Sequence, residues 1–386
     1  MNSKSTSKNA NIADVVIIGG GLHGCSTALH LAMQGISVIV IEKDYVGRHA
    51  SGVNAGGVRR LGRDFAEIPL AVESAKMWQK IESLVDSDCG FISSRQIKVA
   101  ETEEHLEQLK SRVEHVCKMG FNHEKIIDQN TLREKVPVIS DHCVGGLIVE
   151  GDGSANPFRT SQAFKKKCIS LGVQIKEKVE VLNIKKNGNI WKISTSKGQF
   201  ESPIFVNSSG AWGGKIAETL GEPVPIEARA PMLMITNRLP HFIDAVVGVQ
   251  GKPLSFKQFQ NGTVMIGGGH VGTANTVTNE TQLNDKGLAI NASIAISLFP
   301  IIRNARVVRS WAGIEGYLPD NIPVISKSNI DGAFHSFGYS AHGFQLAPIA
   351  GKILSELIID GKSELPIEPF NINRFSSTSY TSAKIQ

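Results

Sequence analysis

The stretch VVIIGGGLHGCSTALHLAMQGISVIVIEK, residues 15–43, decides the fold. Its first four residues are β-branched and apolar, which favours a strand buried on both faces. Glycines with the spacing GxGxxG follow at Gly19, Gly21 and Gly24, and they open a segment with apolar residues at helical spacing. The run 38–41 predicts a second strand, which Glu42 follows directly. The stretch therefore predicts a βαβ unit.

Each of these positions suits the binding of a dinucleotide. Gly19 allows a tight turn, Gly21 lets a pyrophosphate approach the backbone, and Gly24 lets the helix pack close to the strand. The N-terminus of the helix offers free N–H groups, and a carboxylate at Glu42 can bind ribose hydroxyls. We predict an adenine dinucleotide here, although the motif does not separate FAD from NAD. Other residues of this unit expected at the cofactor are Leu22, His23 and Lys43.

The length, composition and net charge are typical of a globular protein. Its 386 residues suffice for two domains with separate cores. The net charge of +5 comes without a dense basic block, so we expect no nucleic-acid partner and at most peripheral contact with a membrane. Five scattered cysteines without a CxxC pair indicate free thiols in a reducing compartment, and with no secretory signal or membrane span apparent we expect a cytoplasmic protein. We expect no metal.

A glycine-rich segment, residues 47–63, follows the βαβ unit. Its composition argues against a helix or a regular strand, and it predicts a loop that keeps its backbone close to a ligand. A flexible surface loop is the alternative. The loop residues that we expect to bind the cofactor or an anion are Arg48, Ser51, Asn54, Ala55, Gly56, Arg59, Arg60 and Arg63.

The rest of the chain alternates between helical and strand patterns. Helices are predicted at 65–82, 101–119, 157–171, 282–299 and 343–359, and strands at 173–175, 179–184, 190–195, 204–207, 231–269 and 305–310. Two junctions of small residues, 207–212 and 338–345, precede helices and suit close approach to a ligand.

The predicted fold class is α/β. A discontinuous Rossmann-like dinucleotide-binding domain contains an inserted, mainly antiparallel β-sheet substrate domain of α+β type. We assign residues 13–88, 150–222 and 305–370 to the first domain and residues 89–149 and 223–304 to the second. Residues 1–12 are expected to be a disordered tail and residues 371–386 a C-terminal tail.

Five segments resemble the FAD-dependent D-amino-acid oxidase superfamily, especially its glycine oxidase, sarcosine oxidase and opine oxidase β-subunit branch. The segments are VVIIGGGLHG from 15, SGVNAGG from 51, NSSGAW from 207, RSWAGIEGYLPDNIPVI from 309 and SAHGFQLAP from 340. The resemblance covers nearly the whole chain and implies FAD as the cofactor. Further FAD-binding residues that it implies are Val179, Ser209, Gly210, Trp212, Gly313, Gly338, Ser340, Ala341, His342, Gly343, Phe344 and Gln345.

Some positions depart from this family. No cysteine lies within 311–320, where monomeric sarcosine oxidases attach their flavin, so FAD should be non-covalent. Glu315 stands near the place of an arginine that holds the substrate carboxylate in glycine oxidases, and Gln345 replaces a lysine of sarcosine oxidases. Met265 replaces a lysine linked to the oxygen reaction, whereas His270 is retained. A quinone or dye is therefore expected to accept electrons faster than oxygen does.

The resemblance implies the oxidation of a C–N bond. Hydride would leave the α-carbon of a small amino acid or N-substituted amino acid (glycine, sarcosine, a D-amino acid, a proline derivative or an opine), and the imine would hydrolyse. One of the three arginines at 59, 60 and 63 should pair with the substrate carboxylate. His270 and His342 are each either catalytic or structural, and Tyr317 is either catalytic or core. The candidate catalytic residues are His270, His342, Tyr317, Arg59, Arg60 and Gln345.

Two other functions stay open. The chain could be the flavin-carrying subunit of a hetero-oligomer that is inactive without its partner chains, or it could form a homo-oligomer. It could also be an FAD-binding scaffold without activity.

Overall fold

The computed structural model describes residues 11–376. Its helices are α1 (Leu22–Met33), α2 (Ala50–Val53), α3 (Ile68–Trp78), α4 (Ile81–Val85), α5 (Glu103–Lys118), α6 (Gln129–Lys135), α7 (Pro157–Ser170), α8 (Gly213–Thr219), α9 (Asp285–Leu298) and α10 (Gly343–Ile359). Its strands are β1 (Val15–Ile18), β2 (Val38–Ile41), β3 (Gly57–Val58), β4 (Ile92–Ala100), β5 (Lys125–Asp128), β6 (Gly145–Ser154), β7 (Gln174–Lys176), β8 (Val181–Asn187), β9 (Ile190–Thr195), β10 (Gly198–Ser202), β11 (Ile204–Asn207), β12 (Glu227–Arg238), β13 (Ala245–Val249), β14 (Lys252–Gln258), β15 (Thr263–Asn275), β16 (Glu280–Gln282), β17 (Val307–Ala312), β18 (Glu315–Tyr317), β19 (Val324–Lys327) and β20 (Ala333–Phe337).

A six-stranded sheet forms around the stretch that opens the chain. Its order is β19-β20-β11-β1-β2-β7, and β1 lies at the centre with parallel neighbours on both sides. All four residues of β1 are buried, as their unbroken apolar run predicts. Helices α1, α7 and α10 pack against this sheet through a shared apolar core. The predicted Rossmann-like unit is confirmed.

The second large element is an eleven-stranded sheet. Its main path runs β17-β12-β15-β14-β13-β4-β6-β3, while β5, β16 and β18 pair at its margins. Every pairing in it is antiparallel except that of β13 with β4. Helix α9 covers one face, where Phe256 stacks on Phe299 with ring centres 4.2 Å apart. This sheet confirms the mainly antiparallel β-domain.

A small antiparallel sheet, β10-β9-β8, completes the fold. Asn187 and Gly188 form the hairpin turn between β8 and β9, since Asn187 pairs with Ile190 and Gly188 has a φ of +58°. No helix within residues 11–376 combines the length and the apolar character needed to cross a bilayer.

Two local predictions are wrong. The helix predicted at 65–82 is divided into α3 and α4, and it begins only at Ile68 because the Asp64 carboxylate accepts from the Ala66 N–H and holds a turn there. The glycine-rich segment contains one helical turn, α2. Gly52 permits that turn, since a Cβ there would lie 2.0 Å from the Gly47 carbonyl oxygen.

The sheets also divide the chain differently from the predicted domains. Strand β17 lies beyond the boundary at residue 305, yet it pairs with β12 of the large sheet. Ile372 and Phe375 are buried, so packed structure continues past residue 370, and Ile12 bridges to Glu201. The packed chain thus extends into both predicted tails. The rest of those tails, residues 1–10 and 377–386, lies outside the described residues.

Candidate functional site

A cavity of about 860 Å³ is lined by both large sheets. Residues at the carboxyl ends of β1 and β2, the 47–63 loop, the start of α10 and one face of β4, β13 and β14 form its wall. The carboxyl ends of parallel strands are the usual ligand-binding edge of such sheets. The volume lies in the upper part of the range for small-molecule sites.

The glycine turn is least crowded at Gly21. A Cβ at Gly19, where φ is +106°, would lie 2.3 Å from the Ser208 carbonyl oxygen, and a Cβ at Gly24 would lie 2.0 Å from the Gly19 oxygen. At Gly21 the only atom within 4 Å of an added Cβ is Ser51 Oγ, at 3.1 Å. Gly19 and Gly24 thus serve packing, whereas a side chain at Gly21 would enter the cavity.

The end of β2 ties this turn in place. Glu42 Oε2 accepts from the Gly20 N–H at 2.7 Å, and its Oε1 accepts from the Asp44 N–H at 2.8 Å. Burial raises the pKa of this carboxyl above its usual value, although these N–H donors oppose the shift. The neighbouring Lys43 ammonium lies 3.1 Å from the centre of the Trp212 ring.

This end of the cavity fits a dinucleotide. The first turn of α1 presents N–H groups that have no helical partner. The position of Gly21 forms a cradle that a side chain would fill, and Ser208 Oγ is buried without a hydrogen-bond partner among the described residues. These groups can hold a pyrophosphate, and Glu42 stands beside them for a ribose.

The loop before α10 is a second junction between a strand and a helix at the cavity. Ser340 and Ala341 have φ of +48° and +69°, a left-handed conformation that costs side-chain-bearing residues about 1–3 kcal/mol each. Ser340 Oγ accepts from the Leu318 N–H at 3.1 Å, and the Ala341 N–H donates to Glu315 Oε1 at 2.7 Å. These contacts fix the loop at the cavity, and the Ser340, Ala341 and His342 N–H groups all donate within the protein, to the Gly316 carbonyl, Glu315 and the Tyr339 carbonyl.

Glu315 is a carboxyl group that lines the cavity. Burial raises its pKa to about 7, and the Ala341 N–H opposes this shift only in part. Next to it on β18, Tyr317 also lines the cavity, and the Arg229 guanidinium lies 4.9 Å from the Tyr317 ring centre. Glu315 can therefore exchange a proton near neutral pH inside the cavity.

A buried charge network lies under the α10 loop. His342 Nδ1 is 2.8 Å from Glu67 Oε2, and the Glu67 side chain has no exposed surface. Burial raises the pKa of the Glu67 carboxyl, but His342, Arg63 and Arg59 outweigh burial and bring it below its usual value. Arg63 is 1% exposed and donates to Gln345 Oε1 at 3.3 Å. The network fixes His342 and Arg63 at the cavity wall.

The large sheet contributes three cavity-lining lysines that sequence reasoning missed, and one of them, Lys252 on β14, pairs with Glu101. Lys98 on β4 and Lys257 on β14 both line the cavity. Their strands alternate apolar and polar residues, a pattern that equally describes a solvent-facing side. Lys257 pairs with Met265 on β15, so the lack of a lysine at 265 does not leave this wall without positive charge.

Most of the predicted site residues do line the cavity. The catalytic candidates among them are Arg59, Tyr317 and His342, together with Arg63. The cofactor candidates among them are Gly19, Gly21, Leu22, His23, Glu42, Lys43, Arg48, Ser51, Asn54, Ala55, Val179, Ser209, Gly210, Trp212, Gly313, Gly338, Ala341, His342, Gly343 and Phe344. His23 and Tyr339 stack with ring centres 3.6 Å apart, which joins the starts of α1 and α10.

Four predicted cofactor residues lie behind the wall, namely Gly24, Gly56, Ser340 and Gln345. Gly24 packs on Gly19, Gly56 has a φ of +68° and approaches the Ala155 carbonyl, and Ser340 holds the α10 loop. They lie outside the set of residues that lines the cavity.

The structure also places three catalytic candidates away from the cavity. Arg60 turns to Asp152, whose Oδ1 lies 2.8 Å from Arg60 Nε. His270 faces α9, since a Cβ at Gly287 would lie 3.1 Å from His270 Cβ. Gln345 is fully buried, donates to the Ala71 carbonyl at 2.8 Å and holds Arg63. The geometry therefore argues against direct contact of Arg60, His270 or Gln345 with a substrate.

A dinucleotide cradle, a second helix start and a charged sheet wall surround one cavity, as in an enzyme that uses a dinucleotide cofactor. The family model for FAD dependent oxidoreductases matches residues 14–357. The chain belongs to this family, and the expected resemblance is confirmed. It is an FAD-dependent oxidoreductase, and FAD supplies a hydride acceptor when bound.

Relatives and solved structures agree with this assignment. The chain is 26% identical to sarcosine oxidase subunit beta of Rhodobacter capsulatus, covering 94% of the chain and 88% of the relative. It is 23% identical to glycine oxidase of Geobacillus kaustophilus, covering 94% and 97%. The structure of L-proline dehydrogenase from P. horikoshii matches with a TM-score of 0.88 and 26% identity, covering 95% of this chain and 98% of that one.

Proposed function

We propose that the protein oxidises the C–N bond of a small amino acid or N-substituted amino acid. The observation that carries this proposal is the charge pattern of the cavity, where a carboxyl at Glu315 faces the same space as the cations Arg59, Arg63 and Lys98. An amino acid presents the complementary pair of groups, an ammonium and a carboxylate. The curated relatives named for sarcosine and glycine support this substrate class.

The roles of the residues follow from their chemistry. A cation of the 59–63 segment would hold the carboxylate and orient the α-carbon. Glu315 would take a proton from the ammonium, because only the neutral amine has the electron pair that forms the imine. The C–H bond then breaks, its two electrons leave with the hydride, and the C=N bond forms.

FAD is proposed to bind without a covalent link. All five cysteines are free thiols, and none of them is among the described residues that line the cavity. Free thiols also agree with the predicted cytoplasmic location, which stays a prediction.

A second candidate is a subunit that works only with partner chains. The match to sarcosine oxidase subunit beta favours it, because that relative's name describes one subunit of an assembly. A homo-oligomer is the other possible assembly.

Purification of the chain alone separates these functions. We expect a yellow species on size-exclusion chromatography that oxidises an amino acid with an artificial dye acceptor. A yellow but inactive chain that gains activity from a co-purified partner would favour the subunit function. A yellow chain inactive under every condition would identify a scaffold.

A further inference from the structure

Lys257 is a buried cation without an anionic partner. It is 6% exposed and lines the cavity from the middle of the large sheet. Within residues 11–376 it forms no salt bridge, and its nearest described partner is the Phe259 ring, whose centre is 4.8 Å from Nζ. Burial lowers its pKa to about 8, so the ammonium form still predominates at pH 7. Such a charge is costly unless a ligand compensates it.

Other cations line the same cavity from the β4 side. Lys98 also forms no salt bridge within the described chain, and burial, followed by the charges of Arg59 and Arg112, lowers its pKa to about 8. The Arg59 guanidinium donates to the Leu61 carbonyl at 2.7 Å, and Arg59 lines the cavity. Lys98 and Arg59 therefore act on each other and form one cationic centre.

Lys257 is a separate centre. Strand β13 lies between β4 and β14, so the two lysine backbones are about 10 Å apart across the sheet. Burial alone shifts the pKa of Lys257, with no contribution from Lys98 or Arg59. The position beside Lys98 on β13 is Gly248, which adds no side chain there, whereas Val246, two residues earlier on the same face, lines the cavity between the two strands.

We propose that the substrate is an amino dicarboxylate, with one carboxylate bound by Arg59 and Lys98 and the other by Lys257. This inference rests on the proposed function and specifies its substrate class. An amino acid with an acidic side chain and an N-carboxyalkyl amino acid share this chemistry. A monocarboxylate such as glycine would leave Lys257 uncompensated.

Binding of non-oxidisable acids to the FAD-loaded protein tests the two centres directly. Isothermal titration calorimetry compares succinate and glutarate with the monoacids propionate and butyrate. We expect the diacids to bind at least tenfold more tightly. Lys257→Met should abolish this preference, and Lys257→Arg should restore it because the charge returns. Lys327→Met, at an exposed residue of β19, is the matched control and should keep the preference.

Anaerobic reduction of the flavin then separates the two sources of the dicarboxylate. Aspartate and glutamate form one arm, and iminodiacetate and N-(1-carboxyethyl) amino acids form the other, with glycine and sarcosine as monoacids. Faster bleaching at lower concentration by either diacid arm supports the inference and identifies the source.

Four results would overturn the inference. Equal binding of diacids and monoacids would show that Lys257 recognises no second carboxylate. A Lys257→Met protein that keeps the diacid preference but reoxidises more slowly in oxygen would assign the charge to the oxygen reaction instead. Bleaching by glycine without any diacid preference would leave the proposed function intact, whereas no bleaching by any amino acid would overturn both.

Discussion

At the scale of single residues, Glu315 is the group whose titration should be measurable. Its pKa of about 7 arises from burial, and proton transfer from the substrate needs the ionised form. We predict that the rate of anaerobic flavin reduction rises with pH through about 7. Glu315→Gln should lower this rate at least tenfold and remove that rise, while Glu218→Gln, at an exposed position of α8, should change neither. An unchanged pH profile in Glu315→Gln would exclude Glu315 as the proton acceptor.

The raised pKa of Glu315 also predicts how the stability of the folded protein depends on pH. Because its pKa is higher in the folded chain than in the unfolded one, its stabilising contribution is complete below about 4.5 and is lost as the pH rises through about 7. Glu315→Gln should therefore raise the melting temperature at pH 8 and leave it nearly unchanged at pH 4.5. A lower melting temperature at pH 8 would contradict a buried carboxyl that forms no salt bridge with any described residue.

Arg59 and Arg60 are neighbours in sequence with different surroundings. Arg59 lines the cavity, while Arg60 pairs with the buried Asp152. Arg59→Lys should raise KM at least tenfold, since a lysine cannot form the bidentate contact with a carboxylate. Arg60→Lys should change KM less than threefold in the same steady-state assay. Equal effects in both variants would remove Arg59 from its proposed role.

The sequence indicates a cation-rich loop but cannot separate these two arginines. Which of them faces the cavity depends on Asp152, ninety-two residues further along the chain. Lys257 was missed for a related reason. In β14 the apolar Leu254 and Phe256 alternate with Ser255 and Lys257, and alternation does not tell a cavity from solvent.

At the scale of elements, the turn between β1 and α1 is the one whose ligand-binding role the sequence predicts. Gly21→Val should abolish flavin binding, because the side chain would occupy the cavity where protein leaves space. The measurement is the ratio of flavin to protein absorbance after purification. Gly35→Ala is the control, since Gly35 has open space around it and follows α1 outside the cavity lining; its φ of +79° makes the alanine locally strained, but the variant should retain flavin. Normal flavin content in Gly21→Val would contradict the cradle.

Elements with local signals were predicted well, and elements that depend on distant pairing were not. Helix α5 begins where Thr102 accepts from the His105 N–H, a cap that the sequence shows. Strand β17 has no such local mark. Its apolar residues suit either large sheet, and only its pairing with β12 places it in the antiparallel one.

At the scale of the whole molecule, the discontinuous fold follows from the two ends of the chain. The sheet brings β1 and β2 from the beginning together with β20 from the end, through β11 in the middle.

The predicted preference for a dye or quinone over oxygen depended on a missing lysine at 265. With Lys257 opposite Met265, that preference loses its main support and stays a prediction for stopped-flow reoxidation.

Whether FAD is attached covalently depends on all the cysteines of the chain. No described cavity-lining residue is a cysteine, so acid or heat denaturation should release FAD completely into the supernatant. Fluorescence of the denatured band on a gel, under ultraviolet light, checks this. A flavin that stays with the band would show a covalent bond to some other side chain.

The central claim is that this chain oxidises amino acids, and anaerobic mixing of the purified, flavin-loaded protein with an amino-acid panel tests it most directly. The panel contains glycine, sarcosine, D-amino acids, proline derivatives, opines and amino dicarboxylates. We predict that at least one class bleaches the visible flavin absorbance within seconds to minutes, before any acceptor is added. A flavin that dithionite reduces but no member of the panel bleaches, with and without co-purified partner chains, would contradict the claim.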